Sequence, residues 1–124
     1  MSHPPYHHPD RFPRLQIRLY LDARNWLGPG KADLLELIAE TGSISEAGRR
    51  MGMSYKRAWT LVTSLNAMFA APLVARERGG AGGGGACLTP EGARVLDLFR
   101  RIEQSCASDP KAEIAALMQM RPPA

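Results

Sequence analysis

The chain is poor in cysteine, histidine and aromatic residues and has no long apolar run, and each shortage removes a class of protein. Its two cysteines, Cys87 and Cys106, lie far apart with no C-x-x-C pair. That spacing offers neither a thiolate zinc site nor a disulfide framework, so both are expected to be reduced, partly buried thiols. The apolar runs are only a few residues long, against the roughly 20 that cross a bilayer, and no membrane partner is expected. A basic-then-apolar leader with a small-residue cleavage site is also missing, which favours a cytoplasmic location. The histidines, His3, His7 and His8, all fall in a tail-like N-terminus rich in proline. Elsewhere no paired carboxylates and no nucleophile–base pattern stand out. The expectation is therefore a protein that is not an enzyme, with no metal site, no cofactor and no tightly bound small molecule.

What is present fits one compact domain with short tails, since 124 residues is an ordinary single-domain length. The expected division is a tail over 1–13, a domain over 14–108, and a short C-terminal helix and tail over 109–124. Charge is unevenly placed. Of 16 basic and 12 acidic residues, the stretch Ser43–Leu88 holds six basic ones (Arg49, Arg50, Lys56, Arg57, Arg76, Arg78) and two acidic ones, Glu46 and Glu77. The whole formal excess of +4 thus sits in the middle third, the footprint a polyanion would need.

Periodicity gives the element order. Leu15, Ile17, Leu19 and Leu21 alternate with polar residues over Arg14–Asp22, which predicts a half-buried strand. Leu27-Gly28-Pro29-Gly30 breaks the chain, and Lys31–Thr41 carries Leu34, Leu35, Leu37 and Ile38 at helical spacing, with Gly42 where a C-cap belongs. Ser43-Ile44-Ser45-Glu46 has the S-x-x-E capping-box pattern and should open a short helix over about Ser45–Met51. Gly52-Met53 interrupts it. Ser54 can cap a helix reaching about Phe69, with Leu61, Val62, Leu65, Met68 and Phe69 in amphipathic rhythm. Leu73–Arg76 and Ala86–Leu88 read as a hairpin around a glycine-rich tip. Thr89-Pro90-Glu91 then starts a helix to about Ser105, expected to bury Val95, Leu98, Phe99 and Ile102. Asp109-Pro110 opens a last short helix with Ile114, Leu117 and Met118.

Ser43–Val62 carries more than amphipathicity. Ala47 and Gly48 are small where two helices would touch, Gly52 stands in a short turn, and Met51, Met53, Ala58 and Leu61 can fix the interhelical angle. That is the pattern of a helix-turn-helix whose second helix enters the major groove. The predicted fold is mainly α with a small β-hairpin: a winged helix-turn-helix with a flanking N-terminal strand and a C-terminal dimerisation helix. The outer face of the second helix offers Ser54, Tyr55, Lys56, Arg57 and Thr60, whose donors suit base edges and phosphate. Trp59 either packs against the wing or first helix or touches DNA. The glycine-rich tip is no Walker loop, because no G-K-[ST] follows it. A wing anchored on the DNA backbone by Arg76 and Arg78 suits it better.

Gly42-Ser43-Ile44-Ser45, Gly52-Met53-Ser54-Tyr55-Lys56-Arg57-Ala58-Trp59, Leu73-Val74-Ala75-Arg76 and the glycine run Gly79–Gly85 with Ala86-Cys87-Leu88-Thr89 together resemble the N-terminal DNA-binding domain of the ModE-type molybdate-responsive regulators. The likeness covers about Leu15–Ser105, and a looser one extends to the winged domains of LysR-type regulators. The resemblance implies a homodimeric, sequence-specific regulator on double-stranded DNA, controlling genes of molybdate uptake or use. It assigns Ser54, Tyr55, Lys56 and Arg57 to the DNA-reading face and Gly79–Gly85 to the wing, with Gly82 and Gly83 at the tip. Full-length members continue into a C-terminal molybdate-binding domain, and the resemblance stops before it. The alternative function is a winged-helix protein-interaction module that does not bind DNA itself.

Overall fold

The computed structural model describes residues 12–77 and 85–123. Along the chain come β1 (Leu19–Tyr20), β2 (Trp26–Leu27), α1 (Pro29–Thr41), α2 (Ile44–Arg50), α3 (Tyr55–Met68), β3 (Val74–Glu77), β4 (Gly85–Leu88), α4 (Pro90–Ser108) and α5 (Lys111–Gln119). Three helices, a hairpin and two more helices follow the first strand pair, so the expected mainly α winged helix-turn-helix is the fold.

The N-terminal segment departs most from expectation. Only Leu19 and Tyr20 of the predicted strand pair, antiparallel with Leu27 and Trp26. Leu15, Leu19 and Leu21 are exposed, and only Ile17 of the alternating set packs on the core. The cause is local. The Asp22 carboxylate accepts from the backbone N–H groups of Arg24 and Asn25 and from the Asn25 side-chain amide, closing a tight turn. The returning strand is then cut short as α1 begins at Pro29, where a proline N1 lacks only a donor that no helix uses. Helix α1 therefore starts two residues before Lys31. It ends at Gly42, whose φ of 70° lets its N–H donate to the Ile38 carbonyl at 2.8 Å.

Helices α2 and α3 are each set by a serine. Ser43 Oγ accepts from Glu46 N–H at 3.0 Å, and Ser54 Oγ accepts from Arg57 N–H at 3.1 Å. The reciprocal half of the capping box is absent: Ser43 N–H donates to Thr41 Oγ1, and the Glu46 carboxylate turns to arginines instead. Gly48 makes the helix crossing possible. A methyl group there would lie 2.8 Å from Ala58 Cβ and 3.3 Å from Met53 Cγ, closer than packed carbons tolerate.

The wing is tied to the helices at its root. Asn66 of α3 accepts through Oδ1 from the Leu73 and Val74 N–H groups and donates through Nδ2 to the Val74 carbonyl. Strands β3 and β4 pair antiparallel from Val74↔Leu88 to Glu77↔Gly85, and Ala86 N–H donates to the Gly42 carbonyl at 2.9 Å. Thr89, the cap of α4, donates from its hydroxyl to the Pro72 carbonyl. Gly92 passes so close to Leu73 that an added Cβ would strike the Leu73 carbonyl oxygen.

Helix α4 presents a different stripe from the one expected. Leu96 and Phe99 are buried and Val95 is half-buried, but Leu98 and Ile102 are 42% and 39% exposed. The inward face runs Gly92, Leu96, Phe99, Arg100, Glu103, because a buried arginine occupies a core-facing position. The Arg100 guanidinium meets Asp33 at 2.8 Å, Glu36 at 3.3 Å and Glu103 at 2.8 Å, pinning α4 to α1. Helix α4 reaches Ser108, and α5 buries no residue fully, with Ile114 and Met118 half-buried and Leu117 exposed. Among the described residues no helix is long and apolar enough to cross a membrane.

Candidate nucleic-acid interface

Helix α3 turns Ala58, Val62 and Leu65 into the core and leaves Ser54, Tyr55, Lys56, Arg57 and Thr60 exposed. The structure thus brings the five residues expected on the reading face onto the solvent side of two successive turns. Ser54 is occupied as the cap. Thr60 Oγ1 donates to the Lys56 carbonyl at 2.9 Å, so its lone pairs, not its proton, face outward.

Arg76, on β3, lies at the other edge of this face. Its guanidinium carbon sits 4.4 Å from the centroid of the Trp59 ring, and Tyr55 meets the same ring edge-on with centroids 6.0 Å apart. Trp59 is half-buried, packs against the core and lies under the wing residue, so it does pack beneath the wing, as one of the two readings expected. Its indole Nε1 is closed to solvent and has no hydrogen-bond acceptor among the described residues. A cleft of about 60 Å³ lies here, walled by Ser43, Ser45, Tyr55, Trp59, Arg76 and Ala86. Arg78, Gly82 and Gly83 lie outside the described residues.

The basic residues of the middle third divide into two kinds. Arg49 and Arg50 both pair with Glu46, at 2.6 and 3.2 Å, and their hydrogen bonds hold its carboxyl down at about 2. Lys56, Arg57 and Arg76 have no carboxylate partner among the described residues. The charge available to a ligand is therefore concentrated on α3 and the wing root rather than spread along α2.

One group of cations escaped the sequence reading. Lys31 Nζ donates to the Trp26 carbonyl at 3.0 Å and lies 3.7 Å from the Trp26 ring centroid, while the Arg18 guanidinium carbon lies 3.8 Å from the same ring. Burial lowers the Lys31 pKa, with the nearby Arg18 charge adding to the effect. This cluster borders a cleft of about 530 Å³ that continues along Met53, Ser54, Arg57 and Leu61 to the start of α3. Nothing in the periodicity points to it, because the alternation predicts one strand over Arg14–Asp22 and no returning strand at Trp26–Leu27, and it is the β1–β2 turn that brings Arg18 to Trp26.

The cysteines differ from each other. Cys87 is half-buried, and its thiol pKa is raised mainly by a hydrogen bond to the Glu77 carboxylate. Cys106 is exposed, not partly buried as expected, because it lies on the solvent side of α4 beyond the core.

Residues 31–93 match the family of bacterial regulatory helix-turn-helix proteins described as the lysR family. The chain is also 44% identical over 81 residues to the molybdenum-pterin-binding protein MopB of Rhodobacter capsulatus, a match covering 65% of this chain and 30% of that protein. It is 40% identical over 91 residues to the DNA-binding transcriptional dual regulator ModE of Escherichia coli K12, covering 73% and 32% respectively. With the transcriptional regulator ModE of Yersinia pestis the identity is 42% over 86 residues, covering 69% and 30%. The chain thus spans about a third of the length of the curated relatives it matches.

Proposed function

This chain belongs to the lysR family of bacterial regulatory helix-turn-helix proteins, and from that premise we propose that it is a sequence-specific, ModE-like transcriptional regulator acting on genes of molybdate uptake or use. The observation that carries the reading is the outer face of α3. Tyr55, Lys56 and Arg57 stand exposed in its first turn, with the unpaired Arg76 beside them on the wing. The first turn of a recognition helix is the part that meets base edges. Lys56 is assigned to base reading, because an ammonium can donate to guanine O6 and N7. Arg57, Arg76 and Arg78 are assigned to phosphate, with Thr60 as an acceptor and Gly82 and Gly83 allowing close approach of the wing.

The protein acts as a homodimer. Leu98 and Ile102 on α4 and Leu15, Leu19 and Leu21 beside β1 form exposed apolar surface on the elements that flank the reading unit. Pairing through them would present two recognition helices to successive major grooves about 34 Å apart. The name of the Rhodobacter capsulatus relative connects it with molybdenum, and the matched part of this chain is a helix-turn-helix domain, so molybdate sensing is assigned elsewhere than this domain. Binding selection from randomised duplex DNA tests the proposal: an enriched, two-fold symmetric site supports it, and the absence of enrichment overturns it. Sedimentation should give twice the chain mass.

A further inference from the structure

We infer that the cleft between the start of α2, the ring of Trp59 and the wing root is an oxyanion pocket that seats one phosphodiester of bound DNA, with the Trp59 indole N–H as a neutral donor and Arg76 as the charged one. The assignment rests on the DNA-binding reading above and deepens it. Its first support is the Trp59 Nε1, shut off from solvent and without an acceptor among the described residues. An indole nitrogen can only donate, and a buried donor left unpaired is destabilising. Phenylalanine would fill the same space without that cost, so the N–H calls for an acceptor that the described residues do not supply.

The second support is the lining. The cleft of about 60 Å³ exceeds the roughly 10–15 Å³ that one water needs, and it has room for a small tetrahedral group. Ser43, Ser45 and Tyr55 contribute hydroxyls, Arg76 contributes the cation, and no carboxylate lines it. The carboxylate next in sequence, Glu77, belongs to the opposite face of β3 from Arg76, by the alternation of the strand. Arg76 meanwhile rests on the face of the Trp59 ring, a contact that a charge-assisted hydrogen bond to phosphate can replace. A phosphodiester with two unbridged oxygens can take both donors at once. Because the indole N–H is closed to water in the free protein, the phosphate reaches it only as the overlying side chains, Arg76 first, swing off the ring. The pocket therefore couples the helix-turn-helix to the wing through one phosphate.

The test follows the indole N–H resonance of Trp59, told apart from that of Trp26 by a Trp26→Phe variant, while selected duplex or inorganic phosphate is added. The expected result is a downfield shift with duplex and a weaker shift in the same direction with inorganic phosphate. Trp59→Phe should lower duplex affinity about tenfold, the low end for a hydrogen bond to a charged group, with salt slope and specific-to-nonspecific ratio unchanged and thermal stability not reduced. Arg76→Gln should weaken binding and flatten the slope by about one unit. A resonance that moves with neither probe overturns the pocket. A resonance that moves with inorganic phosphate but not with bound duplex overturns the phosphodiester and makes this a site for a free oxyanion. If the unaltered chain binds no duplex even at low salt, the DNA-binding reading falls, and with it the phosphodiester. The inorganic-phosphate arm still decides whether the pocket binds an oxyanion.

Discussion

Arg100 and Arg76 stand in the same small domain under opposite conditions. Arg100 is 2% exposed and reached by carboxylates from α1 and from its own helix, whereas Arg76 lies exposed on a wing strand, over an aromatic face and with no carboxylate partner among the described residues. Around Arg100 the α1–α4 pair forms a scaffold whose charges are held by the fold. Around Arg76 the α3–wing face keeps cations that the fold does not neutralise. A buried charge needs partners to offset desolvation, while an exposed, unpaired one remains ready to displace counterions from a polyanion. The two arginines mark where the chain uses charge for architecture and where it holds charge for a ligand.

The sharpest way to break this contrast is to remove the scaffold cation. Arg100→Ala leaves Asp33, Glu36 and Glu103 without the guanidinium that gathers them, and losing one partner of a buried pair costs about 3–5 kcal/mol. Urea unfolding should show a loss of that size. A change below about 1 kcal/mol would mean that the cluster does not hold α4 to α1. Next in size is the joint between the two regions. Gly48→Ala forces a methyl against Ala58 and Met53, an overpacking worth about 1–3 kcal/mol. It should also reduce duplex binding in the folded fraction by altering the α2–α3 crossing. Unchanged stability with unchanged binding would show that the crossing adapts.

Within the reading face, Lys56 and Arg76 should separate. Lys56→Ala is expected to remove about 1–3 kcal/mol of discrimination between the selected site and random duplex. Arg76→Ala should weaken both alike and flatten the salt slope by about one unit. Competition titrations at several salt concentrations distinguish them, and an unaltered specific-to-nonspecific ratio in Lys56→Ala would move base reading to Tyr55 or Arg57.

Where each region was legible in the sequence follows the same division. The helix-turn-helix depends on local signals, namely two serine caps, Gly48 at the crossing and Gly52 at a φ of 72°, so its helices lie within a residue or two of their expected bounds. The scaffold depends on pairings between distant parts of the chain. Arg100 meets Asp33 across 67 positions, and no periodic pattern announces a buried arginine, so the stripe of α4 was read one residue out of phase. The alternating leucines near β1 have a real period of two, which by itself predicts a half-buried strand. The Asp22 turn and the start of α1 shortened the pairing and left them in solvent. Trp59 could be placed only once the wing root was positioned over α3 by Asn66.

The smallest expected effect, and the one that tests the division of charge most directly, belongs to Glu46. It holds Arg49 and Arg50 in place on α2, making this part of the basic stretch behave like the scaffold, although it lies in the exposed region. Hydrogen bonds from the two arginines lower its carboxyl from 4.5 to about 2. With the folded value below the unfolded one, its contribution to stability is present above about pH 4.5 and is lost as the pH falls toward 2. Glu36 has the opposite sign. Burial raises its pKa despite the Arg100 charge, so its contribution is present below the ordinary carboxyl value and is lost as the pH rises through the raised one. Glu46→Gln should therefore flatten the acid limb of the stability curve without touching the Glu36 limb. It should also release Arg49 and Arg50 toward the ligand, strengthening duplex binding a few-fold at low salt and not at high salt, where exposed charges are screened. If binding is the same at every salt concentration while the acid limb flattens, Arg49 and Arg50 serve α2 alone, and the cations offered to DNA by α2, α3 and the wing root reduce to Lys56, Arg57 and Arg76.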